Sequence, residues 1–415
     1  MDNPDISLWR QRDHQFDDLP TPVKGVVREQ LKLPAIYAEK LLPGPRISVF
    51  DLVNMNLPPI SSGRDAAAYS NISPTYSFFS PSPPNNDIET LKQVILPPKG
   101  LVAKLLIEAK QCWLDGAESL TLPGVSHNLP LWALNFWSDL HLIVYPARVS
   151  WGQALTWLQR DDLNLFPDQV RSTCEALATI SWSGNLPALS TDRTQFTKSA
   201  LLNFLSRSWL SDQEIDLMIY LLEAEVKLTL PSRSIHFVDT VLSRKILEVY
   251  DADLSGENVY DPKGTTFLHR FGAGLSKNSE LAGIFHVNDN HWIAIVVDLS
   301  IQDLLYGDPA HLPINSRIVS ALQWFLSKHV PSLPPDQLDN GVLPCPEQSL
   351  NIDSWSCGIY SFNGLAHYFL KYPLVENTSS PVFGDLARMA TLRKIIEKCN
   401  KIVNIFLHFA LELIN

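Results

Sequence analysis

Residues 351–360 read NIDSWSCGIY and place a cysteine, Cys357, where a loop runs into a helix. After this cysteine, apolar residues recur at helical spacing: Ile359, Phe362, Ala366 and Phe369. The spacing predicts a helix with one buried face, and the polar residues Asp353, Ser354 and Ser356 are suitable N-caps. Cys357 is therefore expected in the first helical turn, where unpaired backbone N–H groups and the helix dipole favour a thiolate. An ordinary core cysteine is the simpler interpretation of this stretch taken alone, so the other segments have to distinguish the two.

The composition is typical of a globular intracellular protein. The 415 residues are 45% hydrophobic and 19% charged, which is enough apolar material for two or three domains. The net charge of −11 argues against nucleic-acid binding as the main function. The five cysteines are scattered and form no CxxC pair, so neither a disulfide framework nor a zinc ribbon is expected. We therefore expect a reducing compartment, the nucleus or the cytoplasm, and no metal or cofactor.

Three parts are predicted from the changes in composition along the chain. Residues 1–89 combine a polar tail, without an apolar signal core, with a linker rich in Pro, Ser and Asn, and are expected to be loosely structured. Residues 90–190 read as a small helical module whose tryptophans most simply form its core. Residues 191–415 mix strands with helices. The longest apolar runs are too short to cross a bilayer, so no membrane association is expected.

The third part is predicted to be α+β, with strands in the middle and helices before and after them. Ser211 and Glu214 form a capping box that opens a helix. Residues 291–298 (HWIAIVVD) are apolar on both faces, which is typical of a central strand. Further strands are expected at 282–287 and 303–306, with a helix at 314–329, a Pro-rich connection at 330–346 and two closing helices at 383–399 and 400–413.

A thiol nucleophile needs a base, and the base needs an orienting group. His291 is a candidate base and Asp308 is a candidate partner for it. If 292–299 and 303–307 form a hairpin that turns near residues 299–301, the numbers of cross-strand partners sum to about 599–601. The numbers of His291 and Asp308 sum to 599, so these two residues would lie opposite one another on one face, with Cβ atoms about 4.5–5.5 Å apart. A one-residue slip in register would place them on opposite faces. The nearby His286 is more simply a core or surface histidine.

Four segments thus follow one another in the chain: Trp209-Leu210-Ser211-Asp212, His291-Trp292, Asp308 and Cys357-Gly358. Their order and spacing resemble the Ulp/SENP family of ubiquitin-like-protein-specific cysteine proteases, which process and deconjugate SUMO and its relatives. The resemblance covers roughly residues 190–415. It implies a papain-like cysteine protease domain, with a central mixed or antiparallel sheet flanked by helices, preceded here by a mainly helical region.

The resemblance also implies a role for each matching residue. Cys357 would be the nucleophile, His291 the general base and Asp308 the carboxylate that orients the imidazole. The family usually has a glutamine six residues before the cysteine, where its amide helps to bind the oxyanion. That position is Asn351 here, and the nearest glutamine, Gln348, is three residues earlier. We favour Asn351, with Gln348 as the alternative.

Substrate binding is implied for the Trp-Leu-x-Asp segment and for the residue after the histidine. Trp209 and Trp292 would be two indoles that close over the C-terminal tail of the substrate, and Asp212 would belong to the same tail-binding part. A slot between two flat rings admits only a chain without Cβ atoms, which selects a Gly-Gly C-terminus. Binding of the folded ubiquitin-like body would then drive this tail into register.

The leading prediction is a cysteine protease or isopeptidase that cleaves after the C-terminal Gly-Gly of a SUMO-like or other ubiquitin-like modifier. Its partners would be that modifier and its conjugates, without nucleic acid or membrane. One alternative is a weakly active or inactive module that keeps the fold and binds the modifier. The presence of Asn351 where the family usually has glutamine suggests this alternative. A second alternative is an acyltransferase of similar fold and triad, although the Trp-Leu-Ser-Asp segment favours a protease.

Overall fold

The computed structural model describes residues 8–10, 13–61, 75–186, 195–257, 259–288, 290–330, 338–376 and 379–412. The chain divides into two compact units, Met1–Gly152 and Gln153–Asn415. The sequence analysis instead divides the chain into three parts, with boundaries after residues 89 and 190. That division into domains stays a prediction.

The first unit is mainly helical. Its helices are α1 (Thr21–Leu31), α2 (Ala35–Leu41), α3 (Val49–Asn54), α4 (Ile88–Gln93), α5 (Lys99–Leu114) and α6 (Ala133–Asp139). Three two-residue strands form a small antiparallel sheet: β1 (Phe79–Ser80), β2 (Ser119–Leu120) and β3 (Leu129–Pro130). Helices α1 to α3 lie within residues 1–89, where the sequence predicts a loosely structured tail and linker. They fold because apolar residues one turn apart, such as Val23 and Val27, share a buried face; residues 62–74 lie outside the described ranges.

Helix α7 (Tyr145–Trp157) spans the division between the units, and the second unit contains the remaining elements. Its helices are α8 (Pro167–Ala178), α9 (Asp212–Thr229), α10 (Thr240–Ser255), α11 (Phe267–Ala273), α12 (Ser316–His329), α13 (Cys357–Leu370) and α14 (Val382–Glu412). Its strands are β4 (Ser234–Val238), β5 (Ser279–Val287), β6 (His291–Asp298), β7 (Asp303–Gly307) and β8 (Asp339–Val342). Helix α8 packs along α14, where Arg393 donates hydrogen bonds to Gln169 O and Thr173 Oγ1. None of the helices in the described ranges combines the length and the apolar character needed to cross a membrane.

The five strands form one mixed sheet in the order β4-β5-β6-β7-β8. The two outer pairs are parallel, and the pairs β5–β6 and β6–β7 are antiparallel. Strand β6 lies in the centre, and every residue from His291 to Val297 is buried, as expected from its two apolar faces. The predicted α+β class and the mixed sheet flanked by helices are therefore confirmed.

The register of the β6–β7 hairpin lies at the upper end of the expected range. Ala294 pairs with Gly307 and Asp298 pairs with Asp303, so His291 does not lie directly opposite Asp308. The four residues of the turn, 299–302, close with Gln302 at a positive φ of 63°. Compared with a direct pairing of His291 and Asp308, the observed register is shifted by an even number of residues. The side chains of both residues therefore stay on the same face of the sheet. The histidine and the aspartate therefore still share a face and meet diagonally.

Helix α13 begins at Cys357, as predicted, and packs on β6, where Ser361 Oγ donates to Trp292 O at 3.0 Å. Ser356 is the N-cap residue, but its side chain makes no capping hydrogen bond. Instead Asp353 Oδ1 accepts from the backbone N–H groups of Trp355 (3.2 Å) and Ser356 (3.0 Å), which fixes the loop just before the helix.

Two expectations for the end of the chain are corrected by the structure. The predicted closing helices at 383–399 and 400–413 are one continuous helix, α14, since no helix-breaking residue separates them. The Pro-rich connection contains strand β8, whose sequence, DNGV, has little strand propensity of its own. This strand forms because β7 offers it a parallel partner, which is a tertiary effect.

Candidate active site

Cys357 is the first residue of α13, and its side chain is only 2% exposed. As the first helical residue it has a backbone N–H without a partner inside the helix, and the helix dipole is positive there. The next residue is Gly358, and the space around its Cα is too narrow for a side chain. A Cβ at this position would lie 2.9 Å from Ile215 Cδ1 and 3.3 Å from Trp292 Cδ1. The glycine therefore lets the cysteine approach both α9 and β6.

His291 begins β6, and Asp308 follows the last residue of β7. Both side chains are buried, and His291 Nε2 lies 2.6 Å from Asp308 Oδ1. The same carboxylate oxygen accepts from the backbone N–H of Ala310 at 2.7 Å, which fixes its orientation. With Nε2 held by the carboxylate, Nδ1 is the ring nitrogen left to serve a reacting group.

The electrostatic environment makes His291 a cation. Burial lowers the pKa of His291, but hydrogen bonds to Asp308 and Cys357 and the negative charges of both outweigh burial and raise this pKa to about 9. The imidazole is therefore protonated at neutral pH and lies within hydrogen-bonding reach of the Cys357 sulfur. The structure thus brings Cys357, His291 and Asp308 together.

The other four cysteines have a different environment. Burial raises the pKa of Cys345 to about 12 and of Cys112 and Cys399 to about 11, and it also raises the pKa of Cys174. These thiols are protonated at neutral pH and are poor nucleophiles. Cys357 is thus the cysteine whose surroundings suit nucleophilic chemistry.

The two candidate tail-binding tryptophans are both fastened near the thiol. Trp209 is 50% exposed, and its Nε1 donates to Ser354 O at 2.6 Å, three residues before Cys357. Trp292 is buried, and its Nε1 donates to Leu210 O at 2.9 Å. The segment that begins with Trp209 is therefore held between the start of α13 and strand β6.

Helix α9 begins directly after that segment with the predicted capping box. Ser211 Oγ accepts from Gln213 N, and Glu214 Oε2 accepts from Ser211 N at 2.8 Å. Asp212 is partly exposed, and its carboxylate pairs with Arg244 of α10 at 2.7 Å. The candidate tail-binding role of Asp212 therefore requires a substrate group to compete with or join Arg244.

The two oxyanion candidates differ in environment. Gln348 is 4% exposed, and its backbone N–H donates to Pro309 O at 2.6 Å, directly behind Asp308. Its amide Nε2 and Oε1 are buried without a hydrogen-bond partner among the described residues. Asn351 is exposed, in a turn in which Ser349 O accepts from the backbone N–H groups three and four residues later. Burial thus favours Gln348 as the oxyanion donor, whereas the sequence analysis prefers Asn351. The turn after Gln348 accommodates the three residues by which Gln348 precedes the expected position.

Two charged residues of α14 were not singled out from the sequence. Arg388 and Asp385 are both fully buried, and Arg388 donates to the backbone of the segment before Cys357. A signal for them exists in the sequence. Both lie at helical spacing in line with the buried Leu392 and Ile396, where an apolar residue would be expected. The described residues contain no group of three His, Cys, Asp or Glu side chains that could hold a metal ion.

A thiol at a helix start, an imidazole beside it and a carboxylate behind the imidazole are the parts of a cysteine protease site. The family model described as the Ulp1 protease family, C-terminal catalytic domain, matches residues 208–400. This part of the chain is a cysteine protease domain and belongs to the Ulp1 protease family.

Several solved structures are similar to this chain at low sequence identity. The Ulp1 protease domain in complex with Smt3, the yeast ortholog of SUMO, is 16% identical over 56% of this chain and 95% of that chain, with a TM-score of 0.39. Ulp1 with its catalytic cysteine oxidised to a sulfenic acid is 15% identical over 56% and 93% of the two chains, with a TM-score of 0.37. The Ulp1-like SUMO protease catalytic domain of Chaetomium thermophilum is 14% identical over 46% and 73%, with a TM-score of 0.33. No curated protein matches the chain.

Proposed function

We propose that this chain hydrolyses the peptide or isopeptide bond after the C-terminal Gly-Gly of a ubiquitin-like modifier, with a SUMO-like protein as the leading substrate. The family match supports the class of substrate. The observation that carries the chemistry is the buried contact of 2.6 Å between His291 Nε2 and Asp308 Oδ1, which leaves the opposite ring nitrogen for Cys357.

In the acylation step, the Cys357 thiolate attacks the carbonyl carbon of the C-terminal glycine. A tetrahedral intermediate forms, and its C–N bond breaks as the His291 imidazolium gives its proton to the leaving amine. The products are a thioester on Cys357 and a free amine. Asp308 holds the imidazole in place and stabilises its charged form throughout.

In the deacylation step, the neutral His291 takes a proton from a water molecule, which attacks the thioester carbonyl. The C–S bond breaks, the modifier leaves as a carboxylic acid that loses its proton to solvent, and the thiolate and the imidazolium are restored. The oxyanion of both intermediates would be bound by the backbone N–H of Cys357 and by one side-chain amide. Gln348 supports this role best because its amide is buried and without a partner in the described part of the chain.

Substrate selection would depend on Trp209 and Trp292. The half-exposed Trp209 would form one wall of the tail slot, and its indole N–H donates to Ser354 O. The buried Trp292 would support the backbone next to this wall, because its indole N–H donates to Leu210 O. A tail that passes between this wall and the helix start has to be narrow, which suits glycine. Interactions with the folded modifier would then add the energy that orients the tail.

The experiment is a labelling panel with SUMO-type, ubiquitin and other ubiquitin-like proteins that carry a C-terminal propargylamide. We expect wild-type chain to form a covalent adduct with at least one of them, and Cys357→Ala to form none. Binding of a modifier without any adduct would instead identify an inactive binding module. A matching panel of modifier–AMC substrates ranks the modifiers by kcat/KM.

A further inference from the structure

Arg388 on α14 carries a charge that is fully buried, with 0% of the residue exposed. Its Nη1 donates to the backbone carbonyls of Asn203 (2.9 Å) and Ser206 (2.8 Å). Its Nη2 donates to the carbonyls of Ser208 (2.7 Å) and Trp355 (2.7 Å). One guanidinium therefore joins two stretches that are far apart in the sequence.

These two stretches carry parts of the site. The first, residues 203–209, ends at Trp209 and is called the Trp209 segment. The second, residues 353–357, ends at the nucleophile and is called the Cys357 segment. The Trp209 indole also donates to Ser354 O, so the two segments meet at the front of the site as well as behind it at Arg388.

Among the described residues, the hydrogen-bond partners of Arg388 are all neutral backbone carbonyls, and its Nε has no partner there. Its pKa is lowered to about 10 by burial, against the charges of Asp385, Asp353, Cys357 and Glu214, so it remains a cation at neutral pH. A buried cation that hydrogen-bonds no carboxylate is costly to keep. An apolar side chain would pack this helix without the desolvation cost of a buried charge. An arginine at this position therefore indicates a specific hydrogen-bonding role.

A neighbouring residue on the same face of α14 reinforces the arrangement. Asp385 is one turn earlier and fully buried, and it accepts from Arg207 Nε (3.0 Å) and Nη2 (2.8 Å). The Arg207 guanidinium also lies over the Trp355 ring, 5.5 Å from its centroid. Side chains of both segments are thus held from α14 as well as their backbones.

We propose that Arg388 is a positioning residue, which ties the Trp209 segment to the Cys357 segment and so sets the width of the tail slot beside the thiol. The catalytic consequence rests on the proposed function, whereas the tie between the segments does not. Arginine suits this task because its planar fork directs several N–H donors at once, while lysine offers one compact ammonium.

The test compares two Arg-to-Lys variants on the same helix. Arg388→Lys keeps the charge but cannot reach four carbonyls in two segments. Arg393→Lys is the matched control, since Arg393 donates to Gln169 O (3.2 Å) and Thr173 Oγ1 (3.0 Å) of α8 instead. We expect hydrogen exchange, read by mass spectrometry, to become at least about tenfold faster in both segments of Arg388→Lys. In Arg393→Lys the exchange of these two segments should match wild type.

Enzymology provides the second measurement. In Arg388→Lys we expect kcat/KM on the best modifier–AMC substrate to fall about 100-fold, with a higher KM and a lower kcat, because the slot and the thiol no longer keep their relative positions. Alkylation of Cys357 by iodoacetamide should stay within about threefold of the wild-type rate, because this small reagent does not use the slot. Arg393→Lys should resemble wild type in both assays.

Three results would overturn the proposal. Wild-type exchange rates in both segments of Arg388→Lys would show that no tie exists. Faster exchange throughout the domain, with turnover lost only in proportion to the unfolded fraction measured in urea, would make Arg388 a general stability residue. If Arg388→Lys does not fold, Arg388→Gln removes the buried charge and repeats the test, and failure of both variants to fold would lead to the same conclusion. A wild type that is neither alkylated at Cys357 nor active would refute the proposed function instead, and the exchange result would still stand.

Discussion

The pair of His291 and Asp308 allows a quantitative test by the substitution Asp308→Asn. Asparagine keeps the size of the side chain and removes the charge that, with Cys357, raises the pKa of His291 from 6.5 to about 9. At about 1.4 kcal/mol per pH unit this difference is at most about 3.5 kcal/mol. Cys357 supplies part of this shift and stays in the variant, so we assign about 2 kcal/mol to Asp308, equivalent to about 1.5 pH units or about 30-fold.

The direction of the pH dependence follows from the protonation state of His291 that the acylation step requires. The imidazolium has to protonate the leaving amine, so wild-type activity should hold as pH rises and fall as it passes about 9. In Asp308→Asn the pKa of His291 drops, and the alkaline limb of the pH profile should move to about pH 7.5. Between these two limbs we expect the variant to be slower by up to about 30-fold.

The assay is kcat/KM on a modifier–AMC substrate from about pH 5 to about pH 10. Asp303→Asn serves as the control, since Asp303 begins the same strand and pairs with Asp298 away from the thiol. Its profile should overlay that of wild type. An alkaline limb at the wild-type position in Asp308→Asn would show that the carboxylate does not set the charge of His291, and the proposed triad would fail.

Three further predictions concern the rest of the domain. Gln348→Ala should lower kcat about 100-fold or more through loss of an oxyanion donor, whereas Asn351→Ala should stay within about threefold; the opposite order in steady-state kinetics would return the role to Asn351. Trp209→Ala should raise KM about tenfold with little change in the urea midpoint, since this indole is half-exposed; a large loss of stability with normal KM would make it a packing residue. A fragment 208–415 should have a lower melting temperature than the full chain, because the family match omits 153–207, whose side chains bond to α14; equal melting temperatures by calorimetry would contradict this.

Features that depend on neighbours in the sequence were predictable. The capping box of Ser211 and Glu214 uses hydrogen bonds within one turn, so the two residue types at the right spacing were sufficient. The central strand β6 was evident because seven consecutive buried positions leave a continuous apolar run. The start of α13 at Cys357 followed from apolar spacing in the same way.

Features that depend on distant parts of the chain were not predictable. The register of the hairpin could be predicted only as a range, because a positive φ at Gln302 decided where the turn closes. Strand β8 was missed because only its pairing with β7 makes it a strand. Gln348 was ranked second because counting back from the cysteine cannot reveal a turn between them. Arg388 was overlooked because its acceptors are backbone oxygens, which no residue pattern displays.

The main-chain nature of those acceptors has a consequence for how such an enzyme can diversify. Every amino acid carries a carbonyl, so exchanges at positions 203, 206 and 208 leave the anchoring oxygens in place. On the proposed role of Arg388, the side chains of residues 203–208 can therefore change while this arginine keeps their backbone aligned with the Cys357 segment. Directed evolution that randomises 203, 206 and 208 but retains 388 should accordingly yield many more functional clones than libraries in which 388 itself is varied.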